Sequence, residues 1–348
     1  MKMNAEIESY SKDSKKSGSA LLVALWSVII LSLLVAGFAF EMNIEAGIIS
    51  HARKRMKARY LARAGIEWSK AVLARRKDVS KKDEDSIAAA EDNEMDVAAL
   101  HLSRGMGARS QTVNLGDGTF TVDIVPESAK RNVNLLSHED WEELLDITNV
   151  PEDDWPELID CFGDWVDKND LHLLNGAEQD DPYYADAGIK VKNAAIDTVD
   201  ELLLIKNFSA SIVYGGPAED EDDPPLTGIA EHLTTWGNGK VNINDASREV
   251  LLTLTNIADD FWIDAIIELR KGDDGEAGTV DDGFKSVEEA MSLIPELAQV
   301  RGQITTRDIT YLRITSVGEV NGVKNVVWCI MRVKGKETLP VYWHEGPM

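Results

Sequence analysis

The sequence predicts an α+β fold: a long N-terminal transmembrane helix packed on an antiparallel sheet, with a large, mainly α insertion containing helix-hairpin-helix (SAM-like) units. Three observations predict it. Ser19–Phe40 holds no charged side chain, and about 20 such residues form a helix that crosses roughly 30 Å of hydrocarbon. Strand-turn-strand patterns lie near residues 112–125 and 312–333, far apart in the chain. Between them an internal repeat reads as helical.

The anchor is interrupted only by Ser27 and Ser32, whose hydroxyls can bond a carbonyl one turn back, so no polar group is stranded in lipid. Residues 1–18 are polar, with Lys12, Lys15 and Lys16 followed by Ser17-Gly18-Ser19. A secretory signal places its small cleavage residues after the apolar core, whereas here they precede it. This order resembles the leader of the type IV pilin and type II secretion pseudopilin class. The resemblance implies that a prepilin peptidase cuts between Gly18 and Ser19 and methylates the new N-terminus. Most members of that class carry a glutamate at mature position five, which here is Val23. A missing acid and a large soluble part are together marks of one minor subunit of the class, so the class predicts a filament-tip position.

Beyond the anchor, Ile44, Ile48, Ile49, Ala52, Met56, Tyr60, Leu61, Ala64, Trp68, Val72 and Leu73 recur at spacings of three and four, and no proline interrupts Ser19–Arg76. One continuous helix is expected, amphipathic over 41–76. Arg53, Lys54, Arg55, Lys57, Arg59 and Arg63 lie within the range that the positive-inside rule counts. Charge alone therefore does not orient the body, and the leader resemblance is what places it outside. Residues Lys77–Asp96 have no clear period and read as a connection.

Val113, Leu115, Phe120, Val122 and Ile124 alternate around Gly116-Asp117-Gly118, a hairpin pattern. Leu312–Val317 and Val326–Val333 flank Asn321-Gly322, a turn that needs positive φ. If both hairpins share one sheet, residues 77–130 and 305–348 form the α/β domain and 131–304 the insertion. Within the insertion, Asn132-Val133-Asn134, Ser137, Glu139 and Thr148-Asn149-Val150 are echoed by Asn242-Ile243-Asn244, Ser247, Glu249 and Thr255-Asn256-Ile257. The two units are expected over 131–205 and 240–300, with Ser137 and Asp245 as helix N-caps. Helix-hairpin-helix units often hold phosphate, but Pro151-Glu152-Asp153-Asp154 and Ala258-Asp259-Asp260 put carboxylates where phosphates would sit. With a net charge of −25, a nucleic-acid role is excluded.

Gly163-Asp164-Trp165-Val166-Asp167-Lys168-Asn169-Asp170, then Gly176-Ala177-Glu178, Tyr183-Tyr184, Lys192-Asn193 and Val199-Asp200-Glu201-Leu202, resemble the core motif of the general secretion pathway protein K family. Gly239–Ala246 is similar to that family's second signature. The chain departs from the pattern at Asn169 and in acidic loops at Glu219–Asp223 and Asp273–Asp282. The resemblance implies a minor pseudopilin at the tip of a type II secretion pseudopilus, single-pass in the inner membrane with its body in the periplasm. Its implied partners are other minor pseudopilins, the prepilin peptidase and secreted protein substrates.

The family's helical insertion binds calcium, and the chain offers oxygen donors of the kind that a hard cation takes. Asp164, Asp167, Asn169, Asp170 and Glu178 are the expected ligands; a competing reading has Asp167 and Glu178 capping helices and pairing with Lys192. Asp273, Asp274, Asp281 and Asp282 form a second, EF-hand-like group without that motif's spacing or final glutamate. Glu219–Asp223 reads as a solvated linker. Cys161 and Cys329 either pair in an oxidising compartment or stay as buried thiols. No Gly-x-Ser-x-Gly, His-Glu-x-x-His, paired Cys-x-x-Cys or phosphate loop occurs, and no enzyme is predicted. The alternative function is a membrane-anchored extracytoplasmic binding module, stabilised by calcium and unrelated to secretion.

Overall fold

The computed structural model describes residues 3–79, 94–217, 224–254, 260–335 and 337–346, with side chains from residue 20 onward. Helix α1 spans Met3–Val79 and α2 Glu94–Ser103. Strands β1 (Ala108–Leu115), β2 (Gly118–Pro126), β3 (Tyr311–Val320), β4 (Val323–Lys334) and β5 (Glu337–Gly346) form one antiparallel sheet in that spatial order. Helices α3 (His138–Ile147), α4 (Trp155–Val166), α5 (Pro182–Ala187), α6 (Ala210–Tyr214), α7 (Arg248–Leu252), α8 (Asp260–Leu269) and α9 (Val287–Leu293) lie between β2 and β3. The fold is thus mixed helix and antiparallel sheet, led by an apolar helix.

Alternation along the strands decides which face is covered. Phe120, Val122, Ile124, Leu312, Ile314, Val327, Cys329 and Met331 point inward and pack on Ala58, Leu61, Ala62, Ile66 and Leu73 of α1 and Leu100 and Leu102 of α2. Each such burial is worth about 1.5–3 kcal/mol. The helix comes unusually close because two positions lack a side chain. A Cβ at Gly318 would overlap the Ala58 carbonyl, and one at Gly65 the Ser316 hydroxyl. Both hairpins close with two-residue turns, Leu115 facing Gly118 and Val320 facing Val323; Asn321 and Gly322 take φ of 48° and 79°.

The pairing of Val125 with Arg313 and Pro126 with Leu312 sets the two ends of the insertion side by side. Inside it are two separate cores. One gathers Val133, Trp141, Leu145, Leu158, Phe162, Trp165, Tyr184 and Leu202; the other gathers Ile243, Val250, Leu251, Ile263, Ile266, Phe284 and Leu297.

Each unit closes with a parallel two-residue bridge, 131–132 on 233–234 and 241–242 on 304–305. The repeated asparagines do the same work in both. Asn134 exchanges two hydrogen bonds with the Ile196 backbone (2.9 and 3.0 Å), and Asn244 two with Phe284 (2.9 and 2.9 Å). The first unit therefore extends past the expected residue 205 to its bridge near 234.

Two expectations are corrected. Ser137 caps α3 in a capping box with Asp140, but α7 is capped by Ser247 rather than Asp245. Asp245 is drawn away by Arg109, which binds it with two bonds of 2.8 and 2.9 Å, while the Gly107 amide donates to the same carboxylate. Residues 94–96, read as connection, begin α2, whose apolar Ala98, Leu100 and Leu102 find a buried face. Of the two fates open to the cysteines, the structure has the buried thiols: Cys161 and Cys329 are free and buried in different cores. The Thr255-Asn256-Ile257 echo and the Glu219–Asp223 linker lie outside the described residues.

Candidate metal centre

The centre is built at the end of α4, where the helix surrenders its last carbonyls. Leu158, Phe162 and Trp165 anchor the apolar face of α4 in the first unit's core. That packing fixes Asp164, one residue before Trp165, in a buried position at the helix C-terminus. Asp167 caps the same end, and its carboxylate accepts from the Asn169 amide (2.9 Å) and side chain (2.7 Å).

The chain then returns through Gly176-Ala177-Glu178. A methyl group at Gly176 would overlap the Asp164 carboxylate, so glycine is what allows this close approach. Ala177 is fully buried and turns Glu178 inward. The ligand atoms of Asp164, Asp167 and Glu178 all lie within 4.8 Å of one another.

The cluster gathers buried negative charge with few hydrogen-bond donors. Among the described residues, Asp164 accepts from the Leu173 amide alone, at 3.1 and 3.3 Å, and both buried oxygens of Glu178 have no hydrogen-bond partner. A buried carboxylate without donors costs several kcal/mol unless it is neutralised or bound to a cation. Burial, then the neighbouring carboxylates, raise the Glu178 carboxyl above its ordinary range. Burial also raises Asp164, partly offset by the Leu173 amide. All three donors are hard oxygens, the set that suits calcium or magnesium rather than a thiophilic metal.

The other expected ligands fall elsewhere. Asn169 is spent on the loop, receiving the Leu171 amide at 2.9 Å, and Asp170 accepts from Asn193 at 3.0 Å. Lys192 pairs with Asp197 and Glu201, not with Asp167 or Glu178. Asn193, which the sequence analysis gave no role, braces this loop. Its Oδ1 is buried and unpartnered, it takes φ of 48°, and its Nδ2 contacts the Asn169–Asp170 turn.

In the second acidic loop the carboxylates turn onto their own backbone. Asp281 accepts from the Asp273 and Asp274 amides, and Asp282 from Gly278. Arg104 and His101 of the sheet domain hold this loop through the Asp282 and Thr279 carbonyls, both at 2.7 Å. Among the described residues, the acidic groups close enough to share an ion are those of the first loop.

Residues 116–214, which contain the whole centre, match the family model described as type II secretion system (T2SS), protein K. The fold is similar to a chain from the crystal structure of the GspK-GspI-GspJ complex of the enterotoxigenic Escherichia coli type 2 secretion system. The TM-score is 0.51 at 15% identity, over 75% of this chain and 94% of that one. No curated protein matches the sequence.

Proposed function

We propose, for a chain that belongs to the type II secretion system protein K family, the part of a minor pseudopilin seated at the tip of the secretion pseudopilus. There it initiates or caps assembly together with other minor pseudopilins during protein export. One observation carries this reading: between residues 127 and 310 lie two packed units inserted between adjacent strands of a sheet whose apolar face α1 covers. A subunit enlarged in this way conflicts with close stacking along a thin shaft, and an end position removes the conflict. The crystal complex named for GspK, GspI and GspJ supports the same kind of partners here.

The apolar helix is a single-pass anchor, and among the described residues it is the one helix long and apolar enough to cross a bilayer. Its membrane is the inner one, with the body in the periplasm. Prepilin peptidase cleaves between Gly18 and Ser19. Val23, in place of an acid at mature position five, leaves the subunit without a charge that needs a neighbour's amine in lipid. Asp164, Asp167 and Glu178 hold calcium, which neutralises the buried carboxylates and ties α4 to the returning loop. The role is structural rather than catalytic, and the unrelated-module alternative is disfavoured by the protein K match.

Two measurements test this. Co-expression with a prepilin peptidase should shorten the product by the mass of residues 1–18; an uncut chain would contradict the leader assignment. Immunogold labelling of the body should mark one end of each pseudopilus, and regular labels along the shaft would reject the tip position.

A further inference from the structure

The face of the sheet turned away from α1 carries aromatic side chains. Trp328 and Ile330 alternate with Val327, Cys329 and Met331, which pack towards α1, so the two-residue period of a strand aims both the other way. The register places Arg313 and Tyr342 on either side of Ile330, and His344 beside Trp328. The rings of Trp328 and Tyr342 stack with centroids 4.7 Å apart and planes at 25°, and the Arg313 guanidinium lies 4.9 Å from the Trp328 centroid. The result is a flat aromatic floor.

The first inserted unit raises walls around it. Lys130, just after β2, and parts of 197–200 and 230–236 enclose with this floor a cavity of about 320 Å³. Small-ligand sites are built in this way, with an apolar lining and a few polar groups.

Charge inside the cavity is unmatched at one residue. Glu127, almost fully buried, accepts from Arg313 at 2.8 Å and from the Thr234 hydroxyl, so that pair is closed. Lys130 is part-buried, and among the described residues its ammonium has no hydrogen-bond or ion-pair partner. Burial, reinforced by the Arg313 charge, holds this ammonium below its ordinary pKa, while Glu127 and Glu231 offset the shift only through space. A sheltered cation with three unmatched donors costs free energy that an incoming anion recovers.

The same surroundings narrow the ligand. One lysine is a compact point charge, suited to one singly charged group. Asp200 and Glu231 also line the cavity, in a chain of net charge −25, so a doubly charged phosphate meets repulsion that a carboxylate largely escapes. The aromatic floor favours a flat apolar body next to that carboxylate. A peptide offers both where an apolar residue bears the terminal carboxylate or adjoins an acidic side chain.

We infer that this cavity binds a peptide segment through its carboxylate, with Lys130 as counter-ion and Trp328 and Tyr342 as the platform for the adjoining apolar side chain. The site shares no lining residue with the metal centre. It goes beyond the tip assignment and does not rest on it.

The test titrates the full chain in nanodiscs, read by fluorine NMR of four small probes. N-acetyl-para-fluorophenylalanine presents a terminal carboxylate, and the blocked dipeptide glutamyl-para-fluorophenylalanine amide a side-chain one. N-acetyl-para-fluorophenylalanine amide has no charge, and para-fluorophenyl phosphate has two. At least one carboxylate probe should bind about tenfold more tightly than the uncharged amide, and the preferred one identifies the source of the group. Lys130→Met should remove that advantage and leave the amide's affinity unchanged, whereas Tyr342→Ser should weaken every probe severalfold. The melting temperature of Lys130→Met should not fall below wild type, because the variant removes a cation without a partner. Equal affinity for carboxylate and amide overturns the inference, as does a Lys130→Met chain that keeps the wild-type preference. Phosphate binding as tight as that of either carboxylate overturns the ligand class.

Discussion

Among the described residues nothing donates to the buried carboxylate of Glu178, so a bound cation would offset a cost that the chain itself leaves standing. Calcium at about a hundredfold its Kd should add about 2.7 kcal/mol to the stability of the body. Glu178→Gln, which keeps the shape and removes the charge, should abolish most of the calcium-dependent rise in melting temperature and leave the chelated protein no less stable. An undiminished calcium response in that variant would reject the ligand set. The thiols make a second prediction at this scale. Burial pushes Cys161 up to about 12 and Cys329 up to about 11, so neither should react with maleimide in the native protein, and both should react in denaturant. That Asp164, Asp167 and Glu178 come together was foreshadowed in the chain, because the acidic spacing around a helix end survives in one dimension. The role of Asp245 was not readable, because its partner Arg109 lies 136 positions away.

At the scale of elements, the contact between α1 and the sheet depends on two absent side chains. Gly318→Ala forces a methyl group against the α1 backbone and should cost about 1–3 kcal/mol by overpacking, measured as a lowered urea midpoint of the detergent-solubilised chain. The last strand has a different attachment. Glu345 is held down to about 2, chiefly by its hydrogen bond to Arg63 and secondarily by Arg59 and Trp343. A carboxyl with a depressed native pKa contributes stability that is present above its ordinary value of 4.5 and is lost as pH falls towards 2. Amide exchange along the β4–β5 ladder should accelerate severalfold across that window after correction for intrinsic rates, and Glu345→Gln should flatten the dependence. Strand β5 itself was not legible, since Pro340 and a polar start argue against a strand. It forms at the sheet edge, where a proline is tolerated, with a register shift between Ile330 and Met331 as it pairs. Asn321-Gly322 was legible because its turn chemistry is local.

For the whole molecule, hydrophobic period and repeat spacing carried most of the architecture. The 3.6-residue period marked α1, and alternation marked β2, β3 and β4. The paired Asn-x-Asn motifs marked two units, and the structure gives each a backbone-bracing role. What the period could not convey was how each unit closes, because the parallel bridges join residues about 60 to 100 positions apart through only two residues each. Removing 127–310 and joining Pro126 to Leu312 through a short turn should leave a folded sheet domain that still inserts in membranes, because the two residues already face each other in the ladder. Proteolytic sensitivity and circular dichroism would check this.

Helix α1 runs from Met3 to Val79 without a proline, and the Gly65 and Gly318 contacts leave no slack where it meets the sheet. Mechanically this is a strut with no compliant joint between foot and head. An axial thrust at the foot is borne by the ladder of backbone hydrogen bonds and displaces the head by the same distance.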